Sequence, residues 1–313
     1  MAVLSIDIGG TKLAAGVVSH EGKILARAEV PTLAAEGLEP VLARIIALGR
    51  GLLGRPEAAQ DRVRRIGIGC AGPVDIRAGM VFNPPNLPGW TEVALVKHIE
   101  DALSLPAVLE NDANAAGLGE FYYGAGRGAR SLVYLTVSTG IGGGIILDGK
   151  VWHGLKDAAG EVGHITVVPD GPICGCGNRG CLEAMASGPS IARQAREALL
   201  SGRESRLRGI RDFTAADVSR LAREGDLVAV EVWRGAVRYL GIGVAAVISI
   251  LAPERVVIGG GVTRAGEFLF EPLREEVRRR VKLVPIESVP IMPAALGADV
   301  GILGAAAVAM AAS

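Results

Sequence analysis

Several groups of residues in this 313-residue chain have the types and spacing to do chemistry. In Glu110-Asn-Asp-Ala-Asn114 the Asp112 carboxylate and two amides cluster where an apolar strand ends and a helix is predicted to begin. Strand ends in open α/β folds are where ligands bind. Asp112 suits a general base that accepts a hydroxyl proton during phosphoryl transfer, a reaction that asks mainly for positioning and charge compensation. Asn111 beside Asp112 suits the clamping of a vicinal diol. The structural alternative is that one of the two simply caps the helix, which is worth about 1 kcal/mol.

Two glycine turns between apolar strands suit polyphosphate, because backbone N–H groups can approach phosphate oxygens where no Cβ intervenes. In Asp7-Ile-Gly-Gly-Thr-Lys12 the turn offers Gly9, Gly10, Thr11 and Lys12, with Asp7 at the strand end placed to hold Mg2+ directly or through water. In Val137-Ser-Thr-Gly-Ile-Gly-Gly-Gly144 the donors are Ser138, Thr139 and the backbone of Gly140, Gly142 and Gly143. Neither loop has Walker spacing or a dinucleotide fingerprint, and either one alone is equally well an ordinary hairpin turn. Together they point to a single polyphosphate. A third turn, with Gly260 and Gly261 after the strand Arg255-Val-Val-Ile258, would let adenosine lie close to backbone.

His164, Cys174, Cys176 and Cys181 make a Cys3His set, the composition of closed structural Zn2+ sites, although the spacing is not that of a zinc finger. Free or redox-active thiols are the alternative. A metal on His164 would also fix Glu161 and Glu183, whose carboxylates would then accept hydrogen bonds from sugar hydroxyls; otherwise both are surface charges. Cys70 reads as core, where a thiol packs as a small hydrophobe.

The elements that must position these groups follow from periodicity. Residues 1–30 read as a three-stranded meander, followed by a helix over 38–53, a strand near 66–70, a helix over 92–103 and a strand over 106–110. Strand, glycine turn and strand recur near 131–150, which suggests a duplicated fold facing itself across a cleft. Helices are predicted over 190–200, 215–224 and 227–251. The apolar runs 240–252 and 300–312 read as buried helices, each shorter than the roughly 20 residues needed to span a bilayer. The length predicts two lobes: a smaller one over 1–111, with the helix 299–313 packing back on it, and a larger one over 112–298.

These motifs, in this order, identify the chain as resembling the ROK family of repressors, open reading frames and sugar kinases, and within it the bacterial glucokinases. The similarity runs over essentially the whole chain: Asp7 to Lys12 resembles the first phosphate motif, Gly69 to Asp75 the sugar-lobe turn, Glu110 to Asn114 the catalytic segment, Val137 to His164 the glycine-rich signature, and Cys174 to Glu183 the zinc loop. The resemblance implies an actin-like (ribonuclease H-like) ATPase fold with two lobes that close on substrate, Mg-ATP as donor and glucose as acceptor. It implies Asp112 as the base, sugar contacts from Asn111, Asp112, Glu161, His164 and Glu183, and zinc held by His164, Cys174, Cys176 and Cys181. Gly72 in the sugar-lobe turn and Asn86 in the Pro-Asn-Leu-Pro-Gly loop match further sugar-contacting positions. A homodimer is implied as well. Kinases for N-acetylglucosamine, N-acetylmannosamine, fructose and allose resemble one another at the same motifs.

Charge balance, 33 basic against 33 acidic residues, argues against a nucleic-acid or membrane partner. The Arg203, Arg206, Arg208 and Arg211 stretch is the best candidate for a local basic patch, and a solvated loop is the plainer reading of it. An N-terminus without a basic leader predicts a cytoplasmic protein. The rival reading is a sugar-responsive repressor of the same family; such proteins carry a helix-turn-helix ahead of the kinase-like core, and here the first strand is expected from Val3.

Overall fold

The computed structural model describes residues 2–312. Its first sheet is built from β1 (Ala2–Ile8), β2 (Lys12–Ser19), β3 (Ile24–Pro31), β4 (Ile66–Cys70) and β7 (Ala107–Asn111), in the order β3-β2-β1-β4-β7. The meander β1 to β3 is antiparallel, and β4 and β7 add parallel to β1. The second sheet has β8 (Ser131–Val137), β9 (Ile141–Leu147), β10 (Lys150–Val151), β11 (Arg255–Gly259) and β12 (Ile291–Pro293) in the order β10-β9-β8-β11-β12. The two orders are the same pattern, three consecutive strands and then two later ones, as expected of a duplication. A two-residue hairpin of β5 (Val74–Asp75) and β6 (Met80–Val81) stands apart from both sheets.

The chain divides into two compact units, one of residues 1–130, 144–159 and 295–313 and one of residues 131–143 and 160–294. The sequence-based break at residue 111 therefore falls inside the first unit, because α4 (Asp112–Tyr123) packs against α10 (Val300–Ala311) there. Helix α10 is apolar nearly all round and also lies on β1, β2, β4 and β7. Small residues set that depth. A Cβ at Gly67 on β4 would overlap the Ala305 carbonyl, and one at Gly119 on α4 would lie 2.9 Å from Gly304. Helix α1 (Leu38–Leu53) buries Val41, Leu42, Ile45, Gly49 and Leu52, the spacing of a one-sided helix.

In the second unit, α5 (Leu182–Ala186), α6 (Gly188–Leu200), α7 (Ala215–Arg223) and α9 (Glu267–Arg280) surround α8 (Leu227–Leu251). The apolar run 240–252 is thus the end of a 25-residue helix, long enough to cross a bilayer by length and composition. Here its stripe of Val232, Val237, Val244 and Ile248 is covered by the other helices, while Glu231, Arg234 and Arg238 face outward. The basic cluster after α6 is paired: Arg203 meets Glu231, Arg206 meets Glu224, and Arg211 meets Asp212.

The helix expected over 92–103 begins only at Leu95, as α3 (Leu95–Leu103), because Val93 exchanges both backbone hydrogen bonds with Val81, at 2.9 and 3.0 Å. The short helices α2 (Pro56–Gln60) and α5, and the two- and three-residue strands, carry too few residues for a periodicity to register. Replacing Gly67 with Ala should lower stability by about 1–3 kcal/mol through overpacking against α10. Urea denaturation checks this, with a lower midpoint expected at an unchanged slope.

Candidate active site

Asn111 ends β7 and is the N-cap of α4. Its Oδ1 accepts from the N–H groups of Ala113 (2.9 Å) and Asn114 (3.3 Å), the usual task of an Asn at this position. The cap occupies only the carbonyl half of the amide, and Nδ2 lies 3.1 Å from where a Cβ on Gly72 would stand. Asp112 is the first residue of α4. One carboxylate oxygen accepts the Ala113 N–H at 2.8 Å. The side chain keeps a face open to solvent while protein atoms crowd it on the other sides, and that burial raises its pKa, against the lowering effect of the Ala113 hydrogen bond.

Glu110, just before the cap, is buried. Its Oε1 accepts from Asn111 N–H (2.9 Å) and from Asn114 Nδ2 (3.0 Å), and its Oε2 lies 2.7 Å from His153 Nε2. His153 was not a sequence-based candidate; it follows β10, 43 positions from Glu110, and no local pattern marks it. Cys70, at the end of β4, is fully buried, and burial followed by the charge of Asp112 pushes its thiol pKa far up, as expected of an inert core residue.

The turn from β1 to β2 carries Gly9, Gly10 and Thr11, with Lys12 opening β2. Gly9 N–H bonds Lys12 O at 3.1 Å, and Thr32 closes the turn from outside by donating to Gly9 O at 2.6 Å. Glycine is needed here for space rather than for a left-handed backbone. A Cβ on Gly10 would stand 2.5 Å from Asn86 Cβ, so the Asn86 loop rests directly on the turn. Lys12 Nζ pairs with Glu29 at 3.2 Å in an exposed contact. Asp7 ends up against the first turn of α10, where a Cβ on Gly301 would collide with its carboxylate. Its pKa is raised to about 6, first by burial and then by the charge of Asp112, with Lys12 opposing.

In the second unit, Ser138, Thr139 and Gly140 form the turn between β8 and β9, while Gly142 and Gly143 fall within β9 itself. The turn is held at both ends by the segment that follows Cys181. Gly188 N–H donates to Ser138 O at 2.8 Å, and Glu183 Oε2 accepts the Ile141 N–H at 2.8 Å. Gly260 has φ of +92° and passes so close to the Val137 carbonyl that only glycine fits. Next to it a cavity of about 830 Å³ is lined by Ser138, Thr139, Gly261, Val262, Phe213 and Arg196, among others. That is within the size range of small-molecule and cofactor sites.

One ligand atom each from His164, Cys174, Cys176 and Cys181 lies within 4.8 Å of every other. Cys174 Sγ is 3.6 Å from His164 Nδ1, and Cys176 Sγ is 3.8 Å from Cys181 Sγ. Tetrahedral Zn–S bonds of about 2.3 Å put ligand atoms about 3.8 Å apart, so the four residues fit zinc. Nδ1 of His164 faces the cluster, and Nε2 faces Glu161 at 3.7 Å, which leaves the Glu161 side chain largely exposed. Glu183 Oε1 lies 3.7 Å from Cys174 Sγ, so this carboxylate touches both the cysteine cluster and the glycine turn.

A sheet order used twice, glycine turns after the first strand of each sheet and a carboxylate at the start of the helix following β7 define an α/β protein with the actin-like ATPase fold. Residues 3–312 match the ROK family, and the chain belongs to that family. It is 40% identical to the glucokinase of Thermotoga maritima over 314 residues, covering 98% of this chain and 97% of the relative. Among solved structures it is similar to a ROK hexokinase from Thermus thermophilus, with TM-score 0.88 and 41% identity over 100% of this chain and 99% of that one. A ROK glucokinase from Streptomyces griseus in complex with glucose and AMPPNP matches with TM-score 0.79 and 37% identity, over 99% and 100% of the two chains.

The raised pKa of Asp7 carries a sign for stability. A carboxyl with a folded-state pKa above its unfolded value favours the fold below the ordinary value of 3.8, and that contribution is lost as pH rises through about 6. Asp7→Asn should therefore raise stability near neutral pH by about 1–3 kcal/mol, and the gain should vanish near pH 4. Thermal melts of both proteins across this range test it.

Proposed function

We propose that the chain is an ATP-dependent hexose kinase that converts glucose to glucose 6-phosphate. The observation that carries the reading is Asp112: a crowded but solvent-open carboxylate fixed at a helix start, in a chain whose relatives include glucokinases. In the proposed reaction the sugar hydroxyl oxygen bonds to the terminal phosphorus, the bond from that phosphorus to the bridging oxygen of ATP breaks to release ADP, and the hydroxyl proton passes to Asp112. The carboxylate oxygen not engaged by Ala113 N–H is the acceptor. Asn111 Nδ2, Glu161, His164 Nε2 and Glu183 would hold the sugar hydroxyls, with Gly72 and Asn86 alongside.

The two glycine turns, Gly9 to Lys12 and Ser138 to Gly140, would bind the phosphates, and the cavity beside Gly261 would take the nucleoside. Asp7 would hold Mg2+, which offsets charge on the phosphoryl group when bound. Zn2+ on His164, Cys174, Cys176 and Cys181 would be structural, since four protein ligands close the coordination shell. Burial raises the Cys174 thiol to about 12 and also raises Cys181, so metal binding must displace their protons. The enzyme is taken to be cytoplasmic and homodimeric, with no nucleic-acid partner; N-acetylmannosamine and the other hexoses remain the alternative acceptors.

Asp112→Asn should lose about 10²–10⁴-fold in turnover while sugar binding by calorimetry persists. Near-parental turnover would remove Asp112 from the role. In the parent, kcat/KM for glucose should exceed that for N-acetylmannosamine in a coupled ATP assay, and the reverse order would reassign the acceptor. Cys176→Ala should release zinc, and unchanged zinc on elemental analysis would count against the ligand set.

A further inference from the structure

Near Asp112 a buried carboxylate, Glu110, meets a half-buried imidazole, His153, and the proposed reaction has no use for either. The Glu110 side chain is 6% exposed, and a carboxylate this deep is costly unless it is paired and hydrogen-bonded. Its two oxygens divide the work. Oε1 takes the Asn111 backbone N–H and the Asn114 side chain, and Oε2 takes His153 Nε2 at 2.7 Å. The Glu110 hydrogen bond, with smaller contributions from the charges of Glu110 and Asp157, raises the imidazole pKa above its ordinary value, while partial burial and Arg77 lower it.

What Glu110 grips is a backbone donor before Asp112 and a side-chain donor after it. Asn111 N–H precedes the base and the Asn114 amide follows it, while Asn111 Oδ1 holds the N–H groups of Ala113 and Asn114. Four hydrogen bonds among Glu110, Asn111, Ala113 and Asn114 leave the direction of Asp112 with little freedom. The other end of the grip is equally constrained. After His153 the backbone takes positive φ at Gly154 (66°), Lys156 (52°) and Asp157 (58°), conformations that cost on the order of 1–3 kcal/mol for a non-glycine residue and persist only where the surroundings impose them. Ala159 N–H bonds His153 O at 2.9 Å across the strained residues, and Asp157 Oδ2, on one of them, accepts the Ile76 N–H at 3.1 Å, so the segment is pinned.

We propose that Glu110 and His153 are a positioning pair for the base, in which His153 anchors the Glu110 carboxylate and Glu110 holds the turn that aims Asp112. The proposal rests on Asp112 being the base. Neither residue touches sugar or nucleotide in this role. Loss of the anchor lets the start of α4 relax, which slows the proton transfer and leaves the nucleotide-binding turns as they are.

The test is steady-state kinetics on His153→Ala, His153→Gln and Glu110→Gln, with Asp112→Asn as control and folding followed by circular dichroism and thermal melts. His153→Ala should lower kcat by about 10–10²-fold, the size expected from misplacing a reacting group by about 1 Å, with the ATP KM within about twofold of the parent. His153→Gln, whose amide still donates to Glu110, should recover a substantial part of the loss. Glu110→Gln covers the case in which His153→Ala does not fold; its amide keeps the size and the Oε1 contacts but weakens the anchor, and its kcat should fall with ATP KM unchanged. A folded variant with parental kcat, or equal loss in His153→Gln and His153→Ala, overturns the proposal. If Asp112→Asn is inactive while the folded His153 and Glu110 variants turn over normally, the base stands and the positioning pair does not. If Asp112→Asn turns over normally, both fall.

Discussion

A carboxylate can accept a proton only while it is ionised, and the surroundings of Asp112 oppose that state. Burial raises its pKa, and its charge in turn helps to raise that of Asp7. For the proposed role of Asp112 the opposition is useful within limits, since a base with a raised pKa accepts a proton more readily than one at the ordinary carboxylate value. The limit is set by the hydrogen bond from Ala113 N–H, which favours the charged form, and by the placement of Asp112 at the start of α4, where helix N–H groups favour negative charge. The local structure of 110–114 is arranged around this balance. Asn111 caps the helix so that Asp112 need not, and Glu110 orders the turn from behind.

Geometry of the same kind recurs in the second unit. Glu183 lies in the first turn of α5, two residues after Cys181, and its two oxygens reach the Ile141 N–H and the neighbourhood of Cys174. Gly188, at the start of α6, holds the other end of the same turn through Ser138. The cysteine loop therefore braces the turn that the proposed function assigns to phosphate, as well as the carboxylates it assigns to sugar. A closed four-ligand metal site at this place would stiffen several binding elements at once.

Much of this was legible in the amino-acid order. The meander from Ala2 to Pro31 alternates short apolar runs with glycine turns, and α1 and α8 have the boundaries their apolar spacing predicts. The Cys3His cluster was legible because its four residues crowd into a short stretch. What escaped was long-range or short. His153 meets Glu110 across 43 residues, and nothing near either one announces the other. Glycine at position 10 was expected for the approach of phosphate, and the close approach of Asn86, which only folding creates, is a second reason for it. Lys12 was read only as a phosphate donor, and the fold also brings it to Glu29 on the neighbouring strand β3. The helix before β7 starts late because a backbone bridge at Val93 takes the hydrogen bonds that a first helical turn would need.

The most direct test of the account is a crystal structure with glucose and a non-hydrolysable ATP analogue bound. The account predicts one Asp112 oxygen within about 2.6–3.2 Å of a sugar hydroxyl, the other still on Ala113 N–H, and that hydroxyl in line with the terminal phosphorus. A bound sugar with Asp112 folded back so that both oxygens cap α4 would contradict it.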